Sequence, residues 1–136
     1  MKLLIFYVNS FAFETHHKGL DSADELDIKD SIQNAIVGFI HVEEKDEHDS
    51  SNVETKLIKN LKWAARKNET NRIVLHSFNH LSTSSASADF TKSLFNNAEE
   101  RLRNSEYNVS QTPFGYFLNL NMDAPGTPLA RIFKEF

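Results

Sequence analysis

The sequence predicts a mixed α/β fold, with β-sheets and about two main helices. Three observations point to it. Aromatic and β-branched runs of strand length occupy both ends of the chain. Two longer segments near the middle repeat their apolar residues at helical spacing. Helix and strand alternate through that middle, which requires a crossover unit, whereas strand follows strand at the ends, as in hairpins. The length of 136 residues fits one domain, residues 1–136, with room for a hydrophobic core that needs no staples.

Each element follows from its residues. "KLLIFYV" (2–8) and "FAFETHH" (11–17) read as strands, with Asn9-Ser10 as a turn or bulge between them. "GLDSADELDIKDS" (19–31) is acidic and rich in turn formers, so it reads as a loop. "IQNAIVGFIHVEE" (32–44) holds a near-continuous apolar run, the mark of a buried strand. The polar stretch 45–51 reads as a loop in which Ser50 or Ser51 caps the next helix. That helix is expected over 52–68, with Val53, Leu57, Ile58, Leu61, Ala64 and Ala65 on one face. "NRIVLHSF" (71–78) is a further strand, and 79–87 is a Ser/Thr-rich loop. A second helix over 87–104 aligns Phe90, Leu94, Ala98 and Leu102. Strands follow at 107–112 and within "TPFGYFLNLNMDAPGTPL" (112–129), which holds all three prolines. There Phe117, Asn119 and Asn121 share one face, and Leu118, Leu120 and Met122 share the other. A short helical turn or strand ends the chain. The expected order is β-β-β-α-β-α-β-β.

Composition narrows the function classes. There are no cysteines, which excludes disulfides, thiol nucleophiles and Cys-ligated zinc, and favours a cytoplasmic location. No apolar run reaches membrane-spanning length, and the alternating N-terminus reads as a strand rather than a signal peptide. No membrane partner is expected. Net charge is −4 but uneven: residues 1–50 carry 4 basic and 11 acidic side chains, and residues 51–136 carry 11 and 8. A protein that wraps long nucleic acid usually has a basic surplus, so only a local patch touching a short end fits here.

Candidate chemistry centres on histidines. His16 and His17 are expected on opposite strand faces, where they cannot readily share a metal, and His41 reads as a structural residue of a buried strand. His76 and His80 lie where strand 71–78 gives way to a loop before a helix, the end of a strand where α/β folds bind ligands. A histidine there can donate a hydrogen bond, orient a ligand or act as a base. No zinc site has enough ligands, and no GxGxxG, P-loop, HExxH or GxSxG occurs. The carboxylates of 21–30 and 43–49 read as a solvated face and fit no calcium loop. The five cations between Lys56 and Lys67 also read as a solvated helix face. The alternative is a phosphate contact, detectable as salt-sensitive binding.

Four stretches carry a family resemblance: "GFIHVEEKDE" (38–47), "VLHSFNHLST" (74–83), "YNVSQTPFGYF" (107–117) and "PGTPLARIF" (125–133). In this order and over this length they resemble the archaeal-type N-terminal editing domain of threonyl-tRNA synthetase, whose fold is shared with D-aminoacyl-tRNA deacylases. The resemblance implies a D-aminoacyl-tRNA deacylase-like α/β fold that binds the 3′ end of aminoacyl-tRNA (tRNA-Thr) and hydrolyses mischarged Ser-tRNA(Thr). It implies substrate-assisted ester hydrolysis through the substrate's own 2′-hydroxyl and an oriented water, with no metal or organic cofactor. It also implies a homodimer and a synthetase catalytic subunit elsewhere, since this length cannot hold a synthetase core. Positioning and polarisation suffice for so activated an ester.

Carried over residue by residue, the resemblance places Val42, Phe78, His80, Pro113, Phe114, Gly115, Tyr116 and Phe117 in the substrate site, with His80 as the catalytic candidate. The departures are equally specific. The family's lysine after the P-F-G-Y corner is Leu118, the glutamate after G-H-P-L-x is Arg131, the histidine of G-H-P-L is Thr127, and a polar H-S-D stretch reads Tyr7-Val8-Asn9. Loss of the lysine removes a charge that an ester-hydrolysing pocket would use, and the reversal at Arg131 alters local pKa logic. Three readings follow: an aminoacyl-tRNA deacylase, a catalytically silent binding module for aminoacyl-adenosine, and a dimerisation domain.

Overall fold

A computed structural model describes residues 1–136. Its elements are β1 (Lys2–Lys18), β2 (Lys29–His41), α1 (Ser50–Lys67), β3 (Arg72–Ser77), α2 (Ala88–Asn104), β4 (Asn108–Gln111), β5 (Tyr116–Asp123) and β6 (Arg131–Glu135). Short 3-10 turns, Glu44–His48 and Pro128–Ala130, precede α1 and β6. The fold is mixed α/β, with one six-stranded sheet ordered β4-β3-β2-β1-β5 and β6 paired beside the start of β1. β2, β3 and β4 run parallel, and β1 pairs antiparallel with β2, β5 and β6.

The observed order is β-β-α-β-α-β-β-β, which corrects the expected one at the N-terminal end. Residues 2–8 and 11–17 form one strand, and of the two endings expected for the chain the strand is the one that forms, as β6. Asn9 is a switch of faces inside β1. Leu4, Phe6 and Val8 face a second cluster from even positions and Phe11 and Phe13 from odd ones, while Leu3 and Ile5 face the main core, so the parity changes at Asn9 and Ser10. β2 changes parity at the same level, at Asn34, whose φ is 51°. Asn9 and Asn34 are both skipped between the pairs Val8–Ala35 and Ser10–Gln33. A strand that slips by one residue turns every later side chain over. Because both strands skip one residue together, the register is the same on either side of the gap.

α1 and α2 bury the expected stripes against the sheet, in a main core that also holds Ile36, Ile40, Ile73 and Leu75. Thr91 and Phe95 join the buried face of α2, and Phe90 is only partly buried. Burial of each such aliphatic or aromatic side chain stabilises by about 1.5–3 kcal/mol. The cap of α1 is Asp49, not Ser50 or Ser51; its carboxylate accepts from Asn52 at 3.0 Å. The cap of α2 is Ser87, whose hydroxyl accepts from the Phe90 amide. No helix is long and apolar enough to cross a membrane.

The expected solvated face at 43–49 is also corrected. Glu43 and Asp46 are buried and converge on the Met1 amine, at 2.9 and 3.1 Å, while the Phe136 carbonyl accepts from the same amine at 2.5 Å. Nothing local in this polar run distinguishes two buried acids from their exposed neighbours. The packing of β1 beside the 43–48 turn does.

Candidate functional site

The second cluster lies behind the site and meets it through His76, Phe78 and Leu118. Its members are Val8, Phe11, Phe13, Ala35, Val37, Phe39 and Val74, on the sheet face turned away from the helices. His76 follows Val74 by two residues on β3 and so lands among these aromatics. Its ring centroid is 4.9 Å from that of Phe39, 6.0 Å from Phe78 and 6.2 Å from Phe11. Burial pushes the imidazole pKa down to about 4. Its polar partner is Thr112, with Nδ1 and Oγ1 2.9 Å apart. His76 is therefore a neutral hydrogen-bonding group at pH 7, and too weak a base to draw a proton from water readily.

Beside this cluster lies a cavity of about 500 Å³, within the usual range for small-molecule sites. His76, Ser77, Phe78, Asn79 and His80 form one wall, from the end of β3 onward. Ala88 and Thr91 at the start of α2 form another, and Pro113 to Leu118 with Leu120 close the third. Gly19 and Leu20 complete the rim. The lining contains no lysine, arginine, aspartate or glutamate.

The Pro113–Tyr116 corner is held by the loop that follows β1. The Gly115 carbonyl accepts from the amides of Gly19 (2.6 Å) and Leu20 (3.1 Å). Gly115 has φ 81°, and a Cβ there would stand 3.0 Å from the Ala23 Cβ, so both the backbone and the space require glycine. The Tyr116 hydroxyl donates to the Asp24 carbonyl at 2.6 Å and accepts from the Leu26 amide at 2.9 Å. Its polar tip is thus engaged in fastening the 19–28 loop.

The structure brings most of the expected residues together. Phe78, His80, Pro113, Phe114, Gly115, Tyr116 and Phe117 all line the cavity. Val42 does not: it is 1% exposed and belongs to the main core. The parity of β2 explains this, because Val42 lies two residues beyond Ile40, which faces the helices. His80 is exposed at the rim, edge-on to Phe78 at 4.8 Å. Phe117 is also exposed and stacks on His17 at 4.8 Å. His16 and His17 do not point apart as strand alternation predicts. A bulge between Thr15 and His17 brings their Nδ1 atoms to 2.8 Å. No group of three or more histidine, aspartate or glutamate side chains is arranged to hold a metal.

His41 has the structural place expected of it. The Leu81 amide donates to Nδ1 at 3.1 Å, which leaves Nε2–H to donate to the Ser84 carbonyl at 2.7 Å. This neutral tautomer pins the loop that leaves the cavity wall.

The cavity residues are the ones carried by the family resemblance, and comparison with known proteins decides the matter. Residues 1–136 match the family described as the archaea-specific editing domain of threonyl-tRNA synthetase. The chain belongs to this family. It is 27% identical to the threonine–tRNA ligase of Thermococcus sibiricus over 137 residues, and 28% identical to that of Thermofilum pendens over 136. Each match covers 98% of this chain and 22% of the relative, so the chain spans about a fifth of the length of these curated relatives. Among solved structures, the c-Myc DNA Unwinding Element Binding Protein superposes with a TM-score of 0.67 at 14% identity. That match covers 100% of this chain and 99% of the other. It shows the shared fold, the D-aminoacyl-tRNA deacylase-like α/β architecture.

Within this editing-domain family the departures acquire places. Leu118, where the resemblance places lysine, is a half-buried cavity wall that also packs on the aromatic cluster. Arg131, where it places glutamate, starts β6 opposite Phe6 and lines no part of the cavity. No other cation fills the gap. Lys18 pairs with Glu25 and Lys2 with Glu135, and neither lines the cavity. Sequence reasoning missed Gly19, Leu20 and Thr91. Their proximity depends on the loop after β1 and on the placing of α2, which carry no local signal.

Proposed function

We propose that residues 1–136 act as one editing module, which takes the aminoacylated 3′ end of tRNA-Thr into the cavity and hydrolyses the ester when serine is attached. The observation that carries this reading is a cavity of about 500 Å³ walled by aromatics and neutral polar groups, in a chain of the editing-domain family. Its exposed Phe117 and the edge of Phe78 offer stacking surface to a base, and Ser77, Asn79 and His80 offer hydrogen bonds. With no lysine, arginine, aspartate or glutamate on the walls, the chemistry falls to the substrate. Its 2′-hydroxyl orients a water that the polar rim holds in position to attack, and relays that water's proton to the leaving ribose oxygen. Water adds to the ester carbonyl, the bond to the ribose oxygen breaks, and that oxygen takes up a proton, releasing serine and tRNA. His80, the exposed imidazole at the rim, positions the water or shuttles the proton. A homodimer, a cytoplasmic location and a synthetase catalytic part outside residues 1–136 belong to the same reading.

One observation favours a second reading, a module that holds the aminoacyl end without cutting it: Leu118 makes the wall apolar where the family resemblance expects lysine. Incubation with serine-charged and threonine-charged tRNA-Thr separates the two. The expected result is faster serine release than in buffer, slowed roughly 10²-fold or more by His80→Ala and unchanged by Arg131→Ala. Serine release at the buffer rate, together with binding of a non-hydrolysable seryl-adenosine analogue, would replace cutting by holding. Absence of both would leave a dimerisation domain.

A further inference from the structure

A second surface, sharing no residue with the cavity, has the chemistry of a nucleic-acid contact. Lys59, Lys62, Trp63 and Arg66 are spaced i, i+3, i+4 and i+7, so they stack on the solvent face of α1. Lys134 reaches the same place from β6. With Asn60, these residues line an open depression of about 540 Å³. None of the four cations has a carboxylate within 4.0 Å; Lys29, Lys56, Lys67, Arg72, Lys92 and Arg131 also lack one, but only here do four such cations line one depression with a tryptophan. Lys62 is held only by the Ser105 hydroxyl, at 2.8 Å. The single acid of α1, Glu54, is taken by Arg101. Four cations without an acidic partner therefore share one surface, in a chain whose net charge is −4. At its centre Trp63, the only tryptophan of the chain, leaves 36% of its surface exposed.

Clustered cations around an exposed aromatic match the two parts of a nucleic acid, a phosphate backbone and stacking faces. A solvated helix face accounts for unpaired cations, but not for an exposed tryptophan at their centre. We propose that this shelf binds the phosphate backbone of tRNA, apart from the 3′ end taken by the cavity. The choice of RNA as the occupant rests on the editing reading above.

The test is binding of an unacylated tRNA-Thr transcript between 50 and 200 mM salt, comparing the parent protein with Lys59→Gln/Lys62→Gln/Arg66→Gln. Affinity is expected to fall about tenfold or more at 50 mM salt, and the slope of log K against log salt to shrink by about 2–3. The affinity for a seryl-adenosine analogue is expected to stay unchanged. Lys62→Glu is a second variant that changes one side chain, for use if the triple variant does not fold. Trp63→Ala is expected to weaken RNA binding with no change in salt slope. Unchanged RNA affinity and slope in a folded variant would overturn the proposal. So would a change in sedimentation without a change in RNA affinity, which would make the face a protein contact. Loss of RNA affinity in a protein that never binds the analogue supports the shelf and counts against the cavity reading instead.

Discussion

Glu43 and His76 are almost equally cut off from water, at 6% and 5% exposure, yet burial has opposite outcomes for them. For Glu43, burial is the largest single influence and opposes ionisation. Hydrogen bonds from the Met1 amine and the Ser82 hydroxyl, with the charges of that amine and of Lys2, together outweigh it and hold the pKa at about 2. His76 has one neutral partner, Thr112, and three aromatic neighbours, so burial prevails and keeps the ring uncharged. The comparison shows that the balance between burial and charged or hydrogen-bonding partners sets the state of a buried titratable group. It also separates a lock from a site. The polar groups around Met1 are saturated and face the chain ends. His76 has a face open to the cavity.

Breaking the charged cluster is expected to have the largest effect. Asp46→Ala removes a carboxylate that faces the Met1 amine at 3.1 Å and accepts from the Glu43 amide at 2.8 Å. Loss of one partner from a buried ion pair costs about 3–5 kcal/mol, to be read as a lower denaturant midpoint. A loss below 1 kcal/mol would mean that water already enters the cluster.

Acid titration of stability sharpens the comparison, because the two groups act in different windows. Folded His76 stays neutral to about pH 4, while the unfolded imidazole protonates near 6.5. The unfolded state therefore binds more protons between these values, and stability falls as pH drops from 6.5 to 4, by up to about 3 kcal/mol. Glu43 is ionised in the fold down to about 2 but protonates near 4.5 when unfolded. Its contribution is complete above 4.5 and lost as pH falls towards 2, on a similar scale of roughly 3 kcal/mol. Urea midpoints measured from pH 7 to pH 3 are expected to fall in two stages, and His76→Gln to flatten only the upper one. A profile of His76→Gln that matches the parent above pH 4.5 would show that His76 does not carry the upper stage.

The smallest effect is expected from Thr112→Val, which removes the hydroxyl 2.9 Å from His76 Nδ1. The loss of about 1 kcal/mol that a single hydrogen bond implies would appear in the midpoint at pH 7. A loss above 3 kcal/mol would make Thr112 a core determinant rather than a partner of His76.

Much of the fold was legible because it rests on local periodicity. The α1 stripe of Val53, Leu57, Ile58, Leu61, Ala64 and Ala65 is buried residue for residue as its spacing requires. The Pro113–Tyr116 corner was visible because Pro and Gly announce turns. Errors arose where a residue's surroundings come from distant parts of the chain. Asn9-Ser10 has the composition of a turn, but the strand continues because Asn34 slips at the same level. Val42 matches the family pattern but follows the helix-facing parity of β2. His16 and His17 alternate in sequence but not in space, because a bulge intervenes.

The sequence by itself determined the fold class, both helices with their buried faces, the family, and the aromatic and Pro/Gly residues that wall the cavity. These depend on neighbours within a few positions, where helical and strand periods act directly. Tertiary structure alone decided which acids are buried around Met1, which histidine is neutral, and that no cation replaces Leu118 in the cavity wall. It also gathered four unpaired cations and Trp63 on one shelf. Charge state and pairing depend on through-space neighbours at a few ångströms, and sequence separation carries no record of that distance.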